Sequence, residues 1–269
     1  MTIRIVAALA LAASPLLGQS HVAPARRAAP DTLAWPTGTF SILGYDPETG
    51  DIGGAVQSRV FSVGNGVLWA EAGVGAAATQ AVVDVSYGPQ ALAALRSGLS
   101  AEAALKKVMA DDPDPRPAGG PQAWPKAGRQ FAVIDTKGNV FAFTGPSAPD
   151  SASQHYCSAP HHCTAQGNTL AHPAVTDSMV AAFERTPGRL AFRLLAAIEA
   201  GQAAGGDKRG MQSAAMIITN VKHGCGIWLH NDVILRLQVD DSPEPIKELR
   251  RLVENRAAQR RDSTCRPTP

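Results

Sequence analysis

The chain has 269 residues, of which 45% are hydrophobic and 18% charged, and its formal net charge is +2. That length allows one large domain or two small ones, and the apolar fraction feeds a buried core and excludes global disorder. There is no polybasic signature and aromatic residues make up only 5%, which excludes nucleic acid as a partner.

The first residues form a targeting signal. Arg4 precedes an apolar run, Ile5 to Ala13, and then Ser14-Pro15-Leu16-Leu17-Gly18-Gln19-Ser20. A short cationic start, a brief apolar run and small or polar residues make residues 1–20 a secretory signal peptide, cut near Gly18 to Ser20. The alternative, an uncleaved anchor, is disfavoured because a span needs roughly 20 apolar residues. The expectation is an exported chain, periplasmic or secreted, with no membrane anchor after signal removal. Residues 21–38, rich in Ala, Pro and Arg, read as a spacer or propeptide. A folded domain follows over 39–254, with a polar, loose tail over 255–269.

Thr39–Asp46 and Asp51–Val60 flank the turn sequence Pro47-Glu48-Thr49-Gly50 and predict a hairpin. Phe40 and Ile42 lie on one face of the first strand and Leu43 and Tyr45 on the other, so both faces are covered. Val67 to Gln80 is Ala- and Gly-rich and reads as a third strand. Ser86-Tyr87-Gly88-Pro89 opens a helix closed by Gly98, and Ser100 caps a second that runs to Asp111-Asp112-Pro113. Asp111 to Gly128 is a loop. Phe131–Asp135 and Val140–Thr144 predict another hairpin.

A loop rich in Ser, His and Cys then leads to a short strand, Thr164 to Asn168. Pro173 starts a helix with Val175, Met179, Val180 and Phe183, and a further helix spans about Leu190 to Ala200. The remaining elements are a strand over Gln212–Asn220, a strand region over Ile227–Val239, and a final amphipathic helix after Pro243 and Pro245. Hairpins with paired helices between them predict an α+β fold. Two stacked, mostly antiparallel sheets with outer helices, a four-layer αββα sandwich, account for the doubly apolar first strand.

The four cysteines, Cys157, Cys163, Cys225 and Cys265, allow three disulfide connectivities in an exported chain. Proximity favours Cys157–Cys163, with Cys225–Cys265 as the complement. His155, Cys157, His161, His162 and Cys163 also have the side-chain types of a Zn or Cu site. Disulfide bonding removes the thiolates, so metal binding ranks third among the functional readings. Neither a metal nor an organic cofactor is expected.

Several motifs together resemble one family. They are Thr39-Phe40-Ser41-Ile42, Asp46-Pro47-Glu48-Thr49-Gly50, Ala55-Val56-Gln57-Ser58-Arg59, Trp69 to Ala76, Tyr87-Gly88-Pro89, Gln166-Gly167-Asn168, Gly205 to Gly210 and Gln212-Ser213-Ala214-Ala215. The chain is similar, over roughly Thr39 to Val253, to a bacterial and archaeal family known as a domain of unknown function (ten twenty-eight). That resemblance implies an N-terminal-nucleophile (Ntn) hydrolase-like αββα sandwich. Many relatives begin Met-Thr-Phe-Ser, so removal of Met leaves a terminal Thr equivalent to Thr39. This chain instead carries a signal peptide, a spacer and its own His/Cys-rich loop. The resemblance supplies a fold and a mechanism, and no substrate.

If Thr39 is made terminal by a cut at Gly38-Thr39, one residue holds both a hydroxyl and an amine of pKa about 7.7–8.0, able to take the hydroxyl proton. Its Oγ then attacks an amide carbonyl, and fixed donors such as Asn168 or Gln80 stabilise the oxyanion. Ser58 and Arg59, at the end of the second strand, are placed to orient the amine or a substrate carboxylate. The expected catalytic set is Thr39, Ser58, Arg59 and Asn168, with Gln80, Asp207 and Arg209 binding substrate. Each of the secondary residues also has a structural reading, Asp207 and Arg209 as a mutual ion pair.

The leading reading is an exported hydrolase cleaving an amide bond in a small molecule, peptide or cell-wall fragment. The alternative is a non-catalytic binding or envelope-associated protein on the same fold. The residues leave open whether the chain is an enzyme and whether it self-associates.

Overall fold

The computed structural model describes residues 38–119, 122–222, 224, 226, 228 and 231–259. The signal peptide, the spacer to residue 37, and Cys225 and Cys265 lie outside the described residues.

The first hairpin forms as its sequence dictates. Strands β1 (Thr39–Asp46) and β2 (Asp51–Ser58) pair antiparallel, with Thr39 opposite Ser58 and Asp46 opposite Asp51. Gly50 takes φ +78° at no steric cost and donates its N–H to Asp46 O at 2.8 Å, closing the turn. β2 stops at Ser58 rather than Val60. There the Ser58 hydroxyl accepts the Val60 N–H at 3.2 Å and turns the chain out of the ladder.

The single strand expected over Val67 to Gln80 is instead two, β3 (Leu68–Glu71) and β4 (Gly75–Ala81). Gly73, at φ +71°, makes the reversal, and Val74 N–H donates to Glu71 O at 3.2 Å. Helices α1 (Tyr87–Arg96) and α2 (Ala101–Asp111) follow, and the Ser100 hydroxyl caps α2 by accepting from Ala103 N–H. The second predicted hairpin is β5 (Arg129–Asp135) with β6 (Val140–Thr144).

Strand β7 (Ser153–Tyr156) pairs with β8 (His162–Asn168) and has no apolar alternation to reveal it. Helices α3 (Ala174–Arg185) and α4 (Leu190–Ala203) and strands β9 (Ser213–Asn220) and β10 (Val233–Val239) complete the sheets. Helix α5 (Pro245–Gln259) runs past Asn255, where a loose tail was expected. Val253 is buried, and Arg251 and Arg250 pair with Glu248 and Glu254 along the helix, which supports those last turns.

The strands form a six-stranded sheet in the order β10-β9-β2-β1-β8-β7 and a four-stranded sheet in the order β3-β4-β5-β6. Every pairing is antiparallel. One apolar layer lies between the sheets and includes Leu43, Ile52, Val56, Ala76, Ala132, Ile134 and Ile217. A second packs α3, α4 and α5 on the outside of the larger sheet, through Phe40, Ile42, Met179, Phe183, Leu194, Ile198 and Leu249. The third packs α1 and α2 on the smaller sheet, through Ala91, Leu95, Leu105, Phe131 and Val133. The architecture is therefore the α+β, four-layer αββα sandwich, and the first strand is apolar on both faces because both are buried.

Under α1 and α2 lies a buried polar strut. The Tyr87 hydroxyl donates to Asp112 Oδ2, and Arg129, only 2% exposed, pairs with the same carboxylate at 3.3 Å. Burial raises the Tyr87 phenol above its ordinary range, and the bond to Asp112 adds to that rise. At Asp112, burial pushes the other way, but the Tyr87 hydroxyl, the Asp114 N–H and Arg129 hold the carboxyl below its ordinary value.

Candidate active site

Four strands of the larger sheet bring one row of polar residues to a common end. Asn168 on β8 stands opposite Thr39 on β1, Thr39 opposite Ser58 on β2, and Ser58 opposite Ser213 on β9. In β1 the odd-numbered residues point between the sheets, so Thr39 and Ser41 share the face of Leu43. Thr39 is only 6% exposed.

The Thr39 hydroxyl donates to Ser58 Oγ at 3.0 Å, and Ser58 Oγ donates in turn to the carbonyl of Gly38 at 2.5 Å. A second donor, Arg209 Nη2, reaches the same carbonyl at 2.7 Å. The carbonyl of the Gly38–Thr39 peptide bond thus rests between a hydroxyl and a guanidinium. Arg209 is fixed by Asp207, whose carboxylate takes Nε at 3.0 Å and Nη2 at 2.6 Å and is itself fully buried. That bidentate geometry aims the guanidinium rigidly. A Cβ added to Gly38 would fall 2.2 Å from Arg209 Nη2, so the residue before Thr39 can be only glycine without displacing the arginine.

Thr39's own carbonyl is held from the other side. It accepts from Gln80 Nε2 at 3.1 Å and from Asn168 Nδ2 at 3.4 Å. Both amides also donate to Gln130 Oε1, at 2.8 Å and 3.1 Å. Gln130 Nε2 donates onward to the Gly167 carbonyl at 2.9 Å and to Thr144 Oγ1 at 3.0 Å, while the Ser41 hydroxyl donates to Gln80 Oε1 at 2.6 Å. Gln80 and Gln130 belong to the smaller sheet and Asn168 and Ser41 to the larger, so this network joins the two sheets beneath Thr39.

The residues singled out from the sequence therefore fall into two groups. Thr39, Ser58 and Arg209 meet at the Gly38 carbonyl, with Asp207 behind Arg209. Gln80 and Asn168, expected as oxyanion donors, bond instead to the Thr39 carbonyl and hold the main chain. Arg59 turns away: its side chain is exposed and donates from Nη1 to Gln212 Oε1 at 2.8 Å. Gln130, Ser41 and the part played by the Gly38 carbonyl are not in the expected set. The available signal was a polar residue at the end of an otherwise apolar strand face, Gln130 ahead of Ala132 and Ile134, and Ser41 ahead of Leu43. Asn168 Oδ1 and Arg209 Nη1 are buried with no hydrogen-bond partner among the described residues.

The His/Cys-rich loop lies elsewhere. Its two sulfurs are joined as the Cys157–Cys163 disulfide, the pairing that proximity favoured. No cluster of three or more metal-ligating side chains occurs among the described residues. No helix among them is long and apolar enough to cross a membrane.

Fold and site together define an αββα sandwich whose first strand opens on a buried, hydrogen-bonded threonine. The model of a family of unknown function, DUF1028, matches residues 39–249, and the chain belongs to that family. It is similar to protein SPO2555 from Silicibacter pomeroyi, whose crystal structure is known. The two share 32% identity with a TM-score of 0.68, over 81% of this chain and 86% of that one. A remote similarity links it to Anbu (ancestral beta-subunit) from Yersinia bercovieri, at 9% identity and a TM-score of 0.36, over 82% of this chain and 95% of that one. No match is found among curated proteins.

Proposed function

We propose that the chain is an exported N-terminal-nucleophile hydrolase of amide bonds, with Thr39 as nucleophile once the Gly38–Thr39 bond is cut. One observation carries the reading: the carbonyl of that bond accepts from Ser58 Oγ at 2.5 Å and Arg209 Nη2 at 2.7 Å, beside the Thr39 hydroxyl. Two fixed donors on one carbonyl are what a developing oxyanion requires.

The same pair favours the chain itself as the agent of the cut. Thr39 Oγ1 attacks the Gly38 carbonyl carbon, and its proton passes to the Thr39 nitrogen as the C–N bond breaks. Water then hydrolyses the resulting ester, leaving a Gly38 carboxylate and a free Thr39 amine. That amine is the base for later turnovers. Ser58 and Arg209 then serve the substrate carbonyl as they served Gly38. Asn168 Oδ1, without a partner among the described residues, is an acceptor for the new ammonium or amine. The substrate class is a small molecule, peptide or cell-wall fragment with an amide bond.

The test is intact mass and N-terminal sequencing of the full chain, purified as precursor and incubated. Conversion to a form beginning at Thr39, first order and independent of protein concentration, is expected, with none in Thr39→Ala. A mature protein that still begins upstream of Thr39 overturns the mechanism and favours the non-catalytic binding reading.

A further inference from the structure

The end of β1 remote from Thr39 opens onto a cleft of about 630 Å³. Seven residues of strand separate the two ends, roughly 23 Å at the usual rise. Three segments converge on the cleft: the β1–β2 turn, the disulfide-closed loop 157–163, and the α3–α4 connection with the first turn of α4.

Arg193 is its central group. The guanidinium is half-buried and lies 4.2 Å from the centroid of the Phe183 ring, a stacking arrangement that fixes its plane. Its Nε reaches the Phe183 carbonyl at 3.4 Å and its Nη2 faces His161 Nδ1 at 3.2 Å, while Nη1 has no partner among the described residues. Among the described residues, no carboxylate lies within ion-pair distance of Arg193, or of the neighbouring Arg185 and Arg189. Burial lowers the Arg193 guanidinium from its ordinary value, offset only in part by the more distant Asp46 and Glu48.

Three carboxylates line the cleft, and two of them are engaged, which leaves Glu48, beyond ion-pair distance of Arg193. Glu184 accepts the N–H and hydroxyl of Ser158 at 2.6 Å and 2.7 Å, and Asp46 accepts the Glu48 N–H at 3.0 Å. Of the three histidines in and beside the loop, His155 on β7 pairs with Asp177 at 2.8 Å and His162 bonds to the Gly138 carbonyl at 3.0 Å. His161 is left facing Arg193. A partly desolvated, stacked guanidinium with Nη1 free, an imidazole beside it and no ion-paired carboxylate among the described residues is a site for an oxyanion.

We infer that this cleft binds an oxyanion, a carboxylate or phosphate group, between Arg193 and His161. The Cys157–Cys163 bridge holds His161 in place, which gives the loop a role in ligand binding rather than in metal chemistry.

Calorimetric titration of the full chain at constant ionic strength, with inorganic phosphate in one arm and acetate in the other, tests this. Saturable one-site binding of at least one anion is expected, with phosphate or carboxylate preference read from the two arms. Arg193→Gln and His161→Gln should each weaken binding, Arg193→Gln by about tenfold or more, given the strength of charge-assisted pairs. Arg185→Gln, on the exposed rim, should bind as the parent does. Absence of binding in both arms overturns the inference. So does unchanged affinity in His161→Gln, which decides alone should Arg193→Gln not fold. An equal loss in Arg185→Gln would also overturn it, since diffuse charge would then account for the binding.

Discussion

Arg209 and Gly38 are in direct opposition. The guanidinium donates to the glycine carbonyl at 2.7 Å and fills the space where a side chain on residue 38 would go. Gly38→Ala therefore forces Arg209 off Asp207, whose carboxylate is fully buried. Loss of the charge-assisted bonds should cost on the order of 2 kcal/mol. The variant should melt earlier and remain uncut at residue 38, as read by thermal unfolding and intact mass.

Ser58 and Thr39 separate in their expected effects. Thr39→Ala should abolish both the cut and all turnover, and Thr39→Ser should keep both, because the hydroxyl and α-amine survive. Ser58→Ala removes one of two donors on the Gly38 carbonyl and should slow the cut by about 10²–10³-fold, the usual cost of an oxyanion donor. The rate of appearance of the Thr39 N-terminus measures this. An unchanged rate in Ser58→Ala would remove Ser58 from the mechanism.

The Tyr87–Asp112–Arg129 strut should shape the pH profile of stability. The Asp112 carboxyl is held low in the folded state, so its contribution is present above the unfolded value, near pH 3.9, and lost as pH falls through the folded value. Tyr87 is raised, so its contribution is full below about pH 10 and lost as pH rises beyond it. Asp112→Asn should destabilise by about 3 kcal/mol, because buried Arg129 is left with the more distant Asp84, at 3.9 Å, as its ion partner, and should flatten the acid limb. Denaturation midpoints across pH check both signs, and the Tyr87 phenolate should appear late in an alkaline absorbance titration.

The Cys157–Cys163 bridge closes a short loop, with six residues of sequence separation. Chain-entropy arguments give about 2 kcal/mol for a loop of that size. The double variant Cys157→Ala/Cys163→Ala should lose about that much in denaturant titration. Cleavage at residue 38 should be unaffected, because the loop lies at the other end of the sheet.

Much of this structure is legible in the residues. Pro47-Glu48-Thr49-Gly50 specifies its turn locally, and Ser100 and Gly98 mark helix ends by chemistry that needs no tertiary partner. The break between β3 and β4 was hidden by the Ala-rich run around Gly73, whose propensity reads equally as strand or helix. β7 was hidden because an edge strand of Ser153, Gln154, His155 and Tyr156 has no apolar rhythm. The site divides in the same way. Thr39 and Ser58 follow from the hairpin register, and Asp207 with Arg209 from their adjacency. Gln130 and Ser41 do not, because alternation places a polar residue on the face opposite the apolar one without saying whether that face meets water or another sheet.

The layer between the sheets changes character along its length. Toward Asp46 it is closed by Leu43, Ile52 and Ile134, and toward Thr39 by the amides of Gln80, Gln130 and Asn168. Apolar contacts tolerate a small slide of one sheet over the other, whereas hydrogen bonds of fixed length and direction do not. The amide cluster therefore acts as a dowel between two plates. It sets the alignment tolerance of the sandwich at the end where the Thr39 hydroxyl must meet a carbonyl.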